Sequence, residues 1–320
     1  MNPHPTAGSS LIGITLGDPA GVGPEVVAGA LKNIPAGTRS RCLLIGDPRL
    51  LNKFASKRML TSLDWIRSLS WNGPLPKPGR PSREGARYAL ACLEYGTLLA
   101  LKGGLSALVT APVSKEGLHG VGFRFPGVTE YLAYRAGVQH AEMLFLGGPI
   151  RVVLATRHVP FRDVSRILTT QRLARTIERS HRFVKRYFKI AHPRVAVLGL
   201  NPHAGEGGLT GREEKKVIRP AIARARRRGF RVEGPLSPDS AFWTARRGSF
   251  DVVVAMYHDQ GLIPLKMLAF DRAVNVTIGL PFIRTAPDHG TAFDIAGKGK
   301  ANPRPMLEAI RWAVKLSLKS

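Results

Sequence analysis

Residues 11–25, LIGITLGDPAGVGPE, decide the fold class because they combine an apolar strand, a glycine-rich loop and the start of a helix. The run LIGITL is typical of a buried strand. Pro24 is favourable in the first turn of a helix, and Glu25 is favourable at the positive end of the helix dipole. The glycines allow a close approach of backbone to an anion, but a plain tight turn explains them equally well. No GxGxxG dinucleotide-binding motif occurs in the chain.

The same alternation of strand and helix continues along the chain. Seven more apolar runs predict buried strands, beginning at residues 41, 106, 142, 150, 194, 251 and 273. Apolar positions with helical spacing predict helices over residues 24–32, 83–101, 170–188, 212–228 and 305–318. This alternation predicts an α/β fold with a largely parallel sheet. Because such sheets bind ligands beyond the carboxyl ends of their strands, functional residues are expected directly after the apolar runs.

Length and composition indicate a globular protein without membrane spans. The chain has 320 residues, which corresponds to about two domains, and no apolar run approaches the roughly 20 residues that cross a bilayer. The N-terminal MNPHPTAGSS lacks a basic region followed by an apolar core, so no secretion signal is expected and a cytoplasmic location is predicted. Cys42 and Cys92 lie in apolar surroundings, which predicts two buried, reduced thiols.

The chain is strongly basic. Lys and Arg total 48 against 22 acidic residues, a formal net charge of +26, and such a surface attracts anionic partners. The densest basic stretches are residues 172–189 and 224–231. In the first stretch Leu173, Ile177, Val184 and Phe188 keep an apolar helical stripe, which predicts a solvated basic face rather than a binding site. Zinc-finger cysteines and an aromatic RNA-binding signature are both missing from the sequence, so a nucleic-acid partner is not expected.

Three of the nine histidines follow predicted strands directly, namely His158, His203 and His258. A single histidine in such a position is usually a hydrogen-bonded loop residue, but three at the carboxyl ends of parallel strands can converge on one site. Neutral imidazoles are good ligands for Zn²⁺, and three protein ligands with an open position are typical of catalytic zinc. Asp239 and Asp259 lie in similar loops, where each can orient a ligand, carry a proton or cap a helix.

A second polar cluster lies within residues 266–302. Lys266, Asn275 and Arg284 combine two cations with a hydrogen-bonding amide, a set that fits a substrate phosphate or carboxylate. In a chain this basic, the alternative is that the two cations are ordinary surface charges.

These motifs together resemble a known family. The run DHGTAFDIAGKGKANP, residues 288–303, resembles the cofactor loop of the isocitrate and isopropylmalate dehydrogenase superfamily. Within that superfamily, LGDPAGVGPE, TAPVSKEGL, FPGVTEYLA, NPHAGEGG, YHDQGLIPLK and NVTIGLPFIRTAPDHG are similar to the 4-hydroxythreonine-4-phosphate dehydrogenase family. The similarity runs from about residue 11 to the last predicted helix, and the number and order of the motifs carry it more than any single one.

The resemblance implies a two-lobed isocitrate/isopropylmalate dehydrogenase-like α/β fold with largely parallel sheets and an interlobe cleft. The first lobe is expected to contain residues 1–133 and 281–320, and the second residues 134–280 with the metal histidines and the dimer contacts. The family also implies a homodimer with a shared active site. A divalent metal, most often zinc and alternatively magnesium or cobalt, would be bound by His158 and His203 of one subunit and His258 of the partner subunit.

The resemblance further implies which residues contact the cofactor and the substrate. The 288–303 loop would place His289, Gly290 and Asp294 near the adenosine of NAD. A carboxylate beside the ribose accepts hydrogen bonds from its hydroxyls and repels the extra phosphate of NADP, so NAD is expected. The residues implied to contact the substrate are Thr129, Lys266, Asn275 and Arg284.

Two positions depart from the family pattern. Val128 stands where the family has a histidine that contacts the substrate, and Ser114 stands where asparagine is commoner. Valine has no donor and no charge, so the departure bears on the identity of the substrate more than on the fold or the metal.

The implied reaction is the NAD-linked oxidation, with decarboxylation, of 4-phosphooxy-threonine in pyridoxal phosphate biosynthesis. The metal would lower the pKa of the substrate hydroxyl, and hydride would pass to the nicotinamide. Lys266, Asp239 and Asp259 are all candidates for the base, and the sequence does not choose among them.

Two alternatives follow from the same residues. A sister dehydrogenase would act on a phosphorylated sugar acid such as threonate or erythronate 4-phosphate, or on a cyclic dihydrodiol dicarboxylate. The retained Thr129, Lys266, Asn275 and Arg284 favour a phosphorylated substrate over the dihydrodiol. A non-catalytic nucleic-acid-binding protein would use the net charge of +26, bind with steep salt dependence and be indifferent to chelators.

Overall fold

The computed structural model describes residues 10–66 and 69–318. The N-terminal segment on which the expected absence of a secretion signal rests lies, up to residue 9, outside the described residues. The strands, in chain order, are β1 (Ile12–Thr15), β2 (Cys42–Ile45), β3 (Asp64–Trp65), β4 (Ala107–Thr110), β5 (Glu142–Gly147), β6 (Ile150–Leu154), β7 (Val195–Leu198), β8 (Val232–Leu236), β9 (Val252–Ala255), β10 (Val274–Ile278) and β11 (Ile283–Pro287).

The helices range from single turns to nineteen residues. They are α1 (Gly23–Lys32), α2 (Ala36–Arg39), α3 (Lys57–Thr61), α4 (Arg83–Leu101), α5 (Lys115–Gly120), α6 (Val128–Arg135), α7 (Val164–Ile167), α8 (Thr170–Phe188), α9 (Arg219–Arg227), α10 (Pro238–Arg246), α11 (His258–Ala269) and α12 (Arg304–Ser317). Short 3₁₀ turns span Pro48–Leu51 and Phe161–Asp163, and a π-helical turn, Glu214–Ile218, leads into α9. In the described part of the chain, no helix is both long and apolar enough to span a membrane.

The described chain divides into two compact units. The first unit contains residues 10–141 and 274–318, and the second contains residues 142–273. The lobe boundaries expected from the sequence, at 133/134 and 280/281, lie several residues away from the observed unit boundaries at 141/142 and 273/274. Strand β10 belongs to the first unit because it pairs antiparallel with β11, and α6 continues through Arg135 before that unit ends.

The first unit contains six strands in the order β3-β2-β1-β4-β11-β10. All neighbouring pairs are parallel except β10 and β11. Helix α4 packs against this sheet, and its side chains contribute Cys92, Leu93 and Leu99 to the core of the unit. As predicted, Cys42 and Cys92 are both free and buried.

The second unit contains five strands in the order β5-β6-β9-β7-β8. Strands β5 and β6 form an antiparallel pair, whereas β6, β9, β7 and β8 are parallel neighbours. Helix α8 begins at the N-cap Thr169, whose hydroxyl accepts a hydrogen bond from the Arg172 amide. Of its apolar stripe, Leu173, Ile177 and Val184 are buried and Phe188 is half-buried. The basic residues from Arg182 onward are exposed, whereas those before it are half-buried, so the predicted solvated face is confirmed for the second half of the helix.

The predicted α/β fold with largely parallel strands is confirmed, and all eight predicted strands are present. The prediction missed β3, β8 and β11. Strand β3 has only two residues, Gly234 and Pro235 interrupt β8, and Arg284 and Thr285 break the apolar pattern of β11. It also missed α11, which contains Pro264 and a buried glycine. A Cβ on Gly261 would lie 2.8 Å from Val152, so the missing side chain is what lets α11 pack on the sheet.

Candidate active site

The three histidines singled out from the sequence follow three neighbouring parallel strands. His158 follows β6, His258 follows β9 and His203 follows β7, and these strands lie side by side in the order β6-β9-β7. Parallel neighbours are about 4.8 Å apart and end at the same edge of a sheet. The fold therefore brings the three post-strand loops to one edge of the second unit.

Two side chains connect these loops by hydrogen bonds. The Thr156 hydroxyl, in the loop after β6, donates to the Met256 carbonyl in the loop after β9 at 2.7 Å. Gln260, in the first turn of α11, accepts from the Met256 amide at 2.7 Å and donates to the Gly199 carbonyl after β7 at 2.7 Å. Because Gln260 uses both ends of its amide, it fixes the spacing of the loops that carry His258 and His203.

His158 and His258 approach each other within one chain. Their ring centroids are 5.5 Å apart, and His258 is the first residue of α11. The Nδ1 atom of His258 lies 2.7 Å from a carboxylate oxygen of Asp259. This contact favours the tautomer with the proton on Nδ1, which leaves the Nε2 lone pair available to a ligand. Asp259 thus orients an imidazole, one of the roles left open for it by the sequence.

His203 lies on a left-handed turn. The φ angles of His203, Ala204 and Glu206 are 50, 53 and 42°, and those of Gly205 and Gly207 are 79 and 68°. A residue with a Cβ pays about 1–2 kcal/mol for this conformation, so three such residues in a row of five need support from elsewhere in the fold.

That support comes from Glu214, whose side chain is buried. One of its carboxylate oxygens accepts hydrogen bonds from the backbone amides of Leu200 and Asn201, both at 2.8 Å. The other accepts from the Asn201 side-chain amide at 3.0 Å. Asn201 also donates to Glu213 at 2.8 Å. The sequence pattern Asn-Pro-His followed by a Glu-Glu pair is the only signal that could have pointed to this arrangement.

A cleft of about 660 Å³ opens beside the turn, and His203, Asp239, Glu213, Gln260 and Tyr257 are among the residues that line it. Asp239 is exposed in the first turn of α10, and a hydrogen bond from the Ser237 hydroxyl lowers its pKa. The helix-capping interpretation considered for Asp239 is therefore only part of its role, since its negative charge also faces His203. A carboxylate with a lowered pKa is a poor proton acceptor and a good partner for positive charge.

The donor chemistry of this cluster fits a divalent metal, but one chain does not complete a site. In residues 10–66 and 69–318 no three His, Cys, Asp or Glu side chains are grouped so that they could hold a metal. His158 and His258 supply imidazole nitrogens, which Zn²⁺ prefers, and His203 lies on the neighbouring turn. The prediction of a metal shared between two subunits is compatible with this arrangement and stays a prediction.

Lys266 lies apart from His258 along the same helix. It follows His258 by eight residues on α11, which is about 12 Å of helix rise. Its ammonium lies 5.9 Å from the centroid of the Phe270 ring, and it is not among the residues that line the cleft. Within one chain, Lys266 is therefore not placed next to His203 or Asp239.

The first unit contains a buried arginine that is hydrogen-bonded to no acidic side chain among the described residues. Arg284, on β11, is 5% exposed and donates to the hydroxyls of Thr110 and Thr277, in three hydrogen bonds of 2.6–3.1 Å. Burial lowers the pKa of Arg284 to about 10, and the carboxylate of Glu130 opposes this shift only in part. A guanidinium has five N–H donors, so two remain for a ligand. An anion bound here would stabilise the charged form.

Asn275 and Thr129 lie in the same unit as Arg284. Asn275, on β10, is 8% exposed, and its Oδ1 has no hydrogen-bond partner in the described part of the chain. Because Thr277 pairs with Arg284 and Asn275 lies two residues before Thr277, Asn275 and Arg284 face the same side of the sheet. Thr129 is buried in the first turn of α6, directly before Glu130. A buried, unpaired acceptor beside a buried cation is typical of a ligand site.

The loop after β11 carries the residues predicted to bind the cofactor. His289 Nδ1 lies 3.0 Å from the Gly290 carbonyl, and its buried Nε2 has no hydrogen-bond partner among the described residues. A buried nitrogen without a partner fits a contact with a bound nucleotide. Asp294, five residues further along the chain, is exposed. Glu25 holds this loop, because its carboxylate accepts from the amides of Gly297 and Ala301 at 3.0 Å.

The glycine-rich loop of residues 17–25 is a tight turn. A Cβ on Gly23 would lie 2.2 Å from the Leu16 carbonyl oxygen, and one on Gly17 would lie 2.3 Å from that of Pro112. Asp18 folds back onto this loop and accepts from the Ala20 amide. Backbone packing therefore explains these glycines without an anion.

The chain is similar over nearly its whole length to proteins of known name. The chain is 43% identical over 321 residues to the 4-hydroxythreonine-4-phosphate dehydrogenase of Geobacter metallireducens, with 95% of this chain and 94% of that protein covered. It is 42% identical over 327 residues to the D-threonate 4-phosphate dehydrogenase of Cupriavidus necator, with 97% and 98% covered. The class defined by the fold and the site is thus that of the dehydrogenases.

Residues 38–313 match the family described as "Pyridoxal phosphate biosynthetic protein PdxA". The chain belongs to this family, and the resemblance inferred from the sequence is confirmed. Among solved structures, that of 4-hydroxythreonine-4-phosphate dehydrogenase from Klebsiella pneumoniae superposes with a TM-score of 0.83 at 36% identity, covering 97% of this chain and 100% of that one.

Proposed function

We propose that the protein oxidises the secondary alcohol of 4-phosphooxy-threonine with NAD, followed by loss of carbon dioxide from the keto acid. The observation that carries this proposal is the buried Arg284, which within residues 10–66 and 69–318 leaves two N–H donors unused and has no hydrogen-bonded acid. A phosphate or carboxylate is the ligand that a fixed guanidinium fork binds best. Membership of the family and the named activity of the Geobacter relative support the choice of substrate.

In this proposal the chain's own residues orient the substrate and the imidazoles. Arg284 binds the anionic end, and Asn275 Oδ1 accepts a hydrogen bond from a substrate ammonium or hydroxyl. Asp259 holds His258 with its Nε2 free, and Gln260 fixes the loop of His203 relative to that of His258. A divalent metal, zinc for preference, held by His158, His203 and a second subunit's imidazole would supply the Lewis acidity that lowers the pKa of the substrate hydroxyl.

The cofactor residues proposed are His289, Gly290 and Asp294, and NAD bound there would accept the hydride. The orphaned Nε2 of His289 supports a nucleotide contact. Of the three candidate bases, Asp239 is disfavoured because a hydrogen bond from Ser237 lowers its pKa. Asp259 is engaged with His258, so Lys266 remains as the candidate base. Because Lys266 lies apart from His203 and Asp239 within one chain, it would act only at a site that a second subunit completes.

We further propose that the active protein is a cytosolic homodimer. Ile263, Met267 and Phe270 lie three and four residues apart on and directly after α11, and they are 57, 82 and 77% exposed. Such an exposed apolar stripe is favourable only when another surface covers it. His258 begins the same helix, so a second copy seated on the stripe would lie close to an imidazole that lacks a complete ligand set.

A second candidate substrate is D-threonate 4-phosphate, in which a hydroxyl replaces the ammonium group. Val128 favours it, because this half-buried side chain packs on the apolar core of the first unit and offers no polar group to the substrate. The Cupriavidus relative is named for that activity. The ratio of kcat/KM for the two substrates, measured with NAD, decides between them.

The proposed metal role is tested with His203→Ala and a matched control, His192→Ala, which changes an exposed histidine of the same unit. Metal analysis of the purified protein and the absorbance of NADH are measured for both variants. We expect the first variant to lose bound metal and NADH formation and the second to keep both. Full turnover by His203→Ala without metal would overturn the metal role.

A further inference from the structure

We propose that Glu214 is a positioning residue that holds residues 199–208 in the left-handed shape presenting His203 to the cleft. Only the metal-binding part of this inference rests on the proposed function, since the shape of the turn is a property of the fold. Glu214 is 3% exposed and lies in the π-helical turn before α9, where its side chain reaches back to the end of β7.

The backbone hydrogen bonds that join the turn to the residues flanking it are long. The amides of Ala204, Thr210 and Leu209 donate to backbone carbonyls at 3.2, 3.3 and 3.4 Å. The two amides that donate to Glu214, by contrast, do so at 2.8 Å. Hydrogen bonds to an ionised carboxylate are also stronger than those between neutral groups. The carboxylate is therefore a short and charged polar support of the segment that leads into His203.

The glycines of the turn fit closely around this carboxylate. A Cβ on Gly205 would lie 2.6 Å from Glu214 Oε2, and one on Gly199 would lie 3.3 Å from Oε1 and 2.7 Å from the Ala204 Cα. Gly207 has a similar φ, 68° against 79° for Gly205, but a Cβ there would meet nothing within 4 Å. The chain thus offers two left-handed glycines that differ in their contact with Glu214.

The first experiment removes the acceptor. In Glu214→Ala, hydrogen exchange at the Leu200 and Asn201 amides should become faster, and the affinity for Co²⁺ or Zn²⁺ should fall about 10–100-fold, as is usual when the support of a metal ligand is lost. Glu214→Gln should give an exchange rate and a metal affinity between those of the wild type and of Glu214→Ala, because the nitrogen of its side-chain amide cannot accept a hydrogen bond from Asn201. Glu178→Gln is the control for stability and should change neither readout. Glu178 lies on α8, is buried, and pairs with Arg228 directly after α9.

The second experiment uses the glycine pair. Gly205→Ala should speed exchange at the same two amides and weaken metal binding, whereas Gly207→Ala, with the same backbone strain and no close contact, should do so much less. The double variant Gly205→Ala/Glu214→Ala should show amide exchange and metal affinity close to those of Gly205→Ala alone, because the alanine at 205 has already displaced the Glu214 carboxylate.

The outcomes separate this inference from the proposed function. Unchanged exchange at Leu200 and Asn201 in Glu214→Ala, or equal effects of the two glycine variants, would overturn the positioning role. If the exchange changes but the wild-type protein and His203→Ala bind metal equally well, the positioning role stands and the metal role of His203 fails.

Discussion

Removing the buried charge of Arg284 gives the sharpest test of the substrate site. Arg284→Gln keeps a polar side chain, two atoms shorter, but loses the charge and the two N–H donors that are free for an anion. A hydrogen bond to a charged group contributes about 1.5–3 kcal/mol, so two are worth about 3–6 kcal/mol. At 1.4 kcal/mol for each factor of ten, kcat/KM for the phosphorylated substrate should fall about 10²- to 10⁴-fold.

Arg284→Lys keeps a positive charge but loses the planar guanidinium, so it tests charge and geometry separately. The pH dependence of kcat/KM is an independent test of the role of Arg284. Burial has lowered the pKa of Arg284 to about 10, so the charged form persists at neutral pH and is lost as pH rises through about 10. The alkaline decline of kcat/KM, which reports the free enzyme, should therefore begin near that pH. In the lysine variant it should begin lower, because burial depresses the pKa of an amine as well.

The measurement is steady-state NADH formation with a thermal-unfolding control. We expect the KM for NAD to be unchanged in both variants, since the predicted cofactor residues lie in the loop after β11. If folded Arg284→Gln keeps kcat/KM within about threefold of the wild type, the anion binds elsewhere and the reasoning fails.

Three further changes test the remaining roles. Val128→His restores the family residue and should raise kcat/KM for 4-phosphooxy-threonine relative to threonate 4-phosphate; no change, or a loss, would favour the second substrate. Met267→Glu places a charge at a side chain that is 82% exposed, and should yield monomers by light scattering with loss of activity, whereas retention of a fully active dimer would exclude this face. Because the Ser237 hydroxyl lowers the pKa of Asp239, that carboxylate stays ionised to a lower pH than an ordinary aspartate, and Asp239→Asn should leave any acidic decline of kcat/KM above about pH 5 in place; disappearance of the decline would make Asp239 the base.

Much of the fold follows from the sequence because its strands are apolar and short. Runs such as CLLI and VVVA are buried at every position, as expected for parallel strands covered on both faces. Strand β11 could not be found in this way, since its buried Arg284 and Thr285 resemble surface residues in the sequence. In the fold, Thr110 and Thr277 accept from Arg284, and Thr285 donates to the Ala309 carbonyl. The feature that hid the strand, a buried cation, is also the one on which the proposed anion site rests.

In the candidate site, the histidines could be predicted from the sequence, but the residues that hold them in place could not. His158, His203 and His258 were recognisable because histidines after strands are chemically distinctive. Gln260 and Glu214 were not, since a glutamine or glutamate in the first turn of a helix is common and usually solvated. Their roles depend on the strand order β6-β9-β7, which joins loops some fifty residues apart and leaves no local trace in the sequence.

The strand order also limits what one chain can do. It pairs the imidazoles of His158 and His258 and turns His203 toward the cleft with Asp239, yet no three ligands in the described part of the chain meet. Rigid supports make a later rearrangement within the chain costly, because Gln260 and Glu214 would both have to give up short hydrogen bonds. A ligand arriving from another subunit costs none of these bonds, so the same contacts that fix the loops favour completion of the site by association.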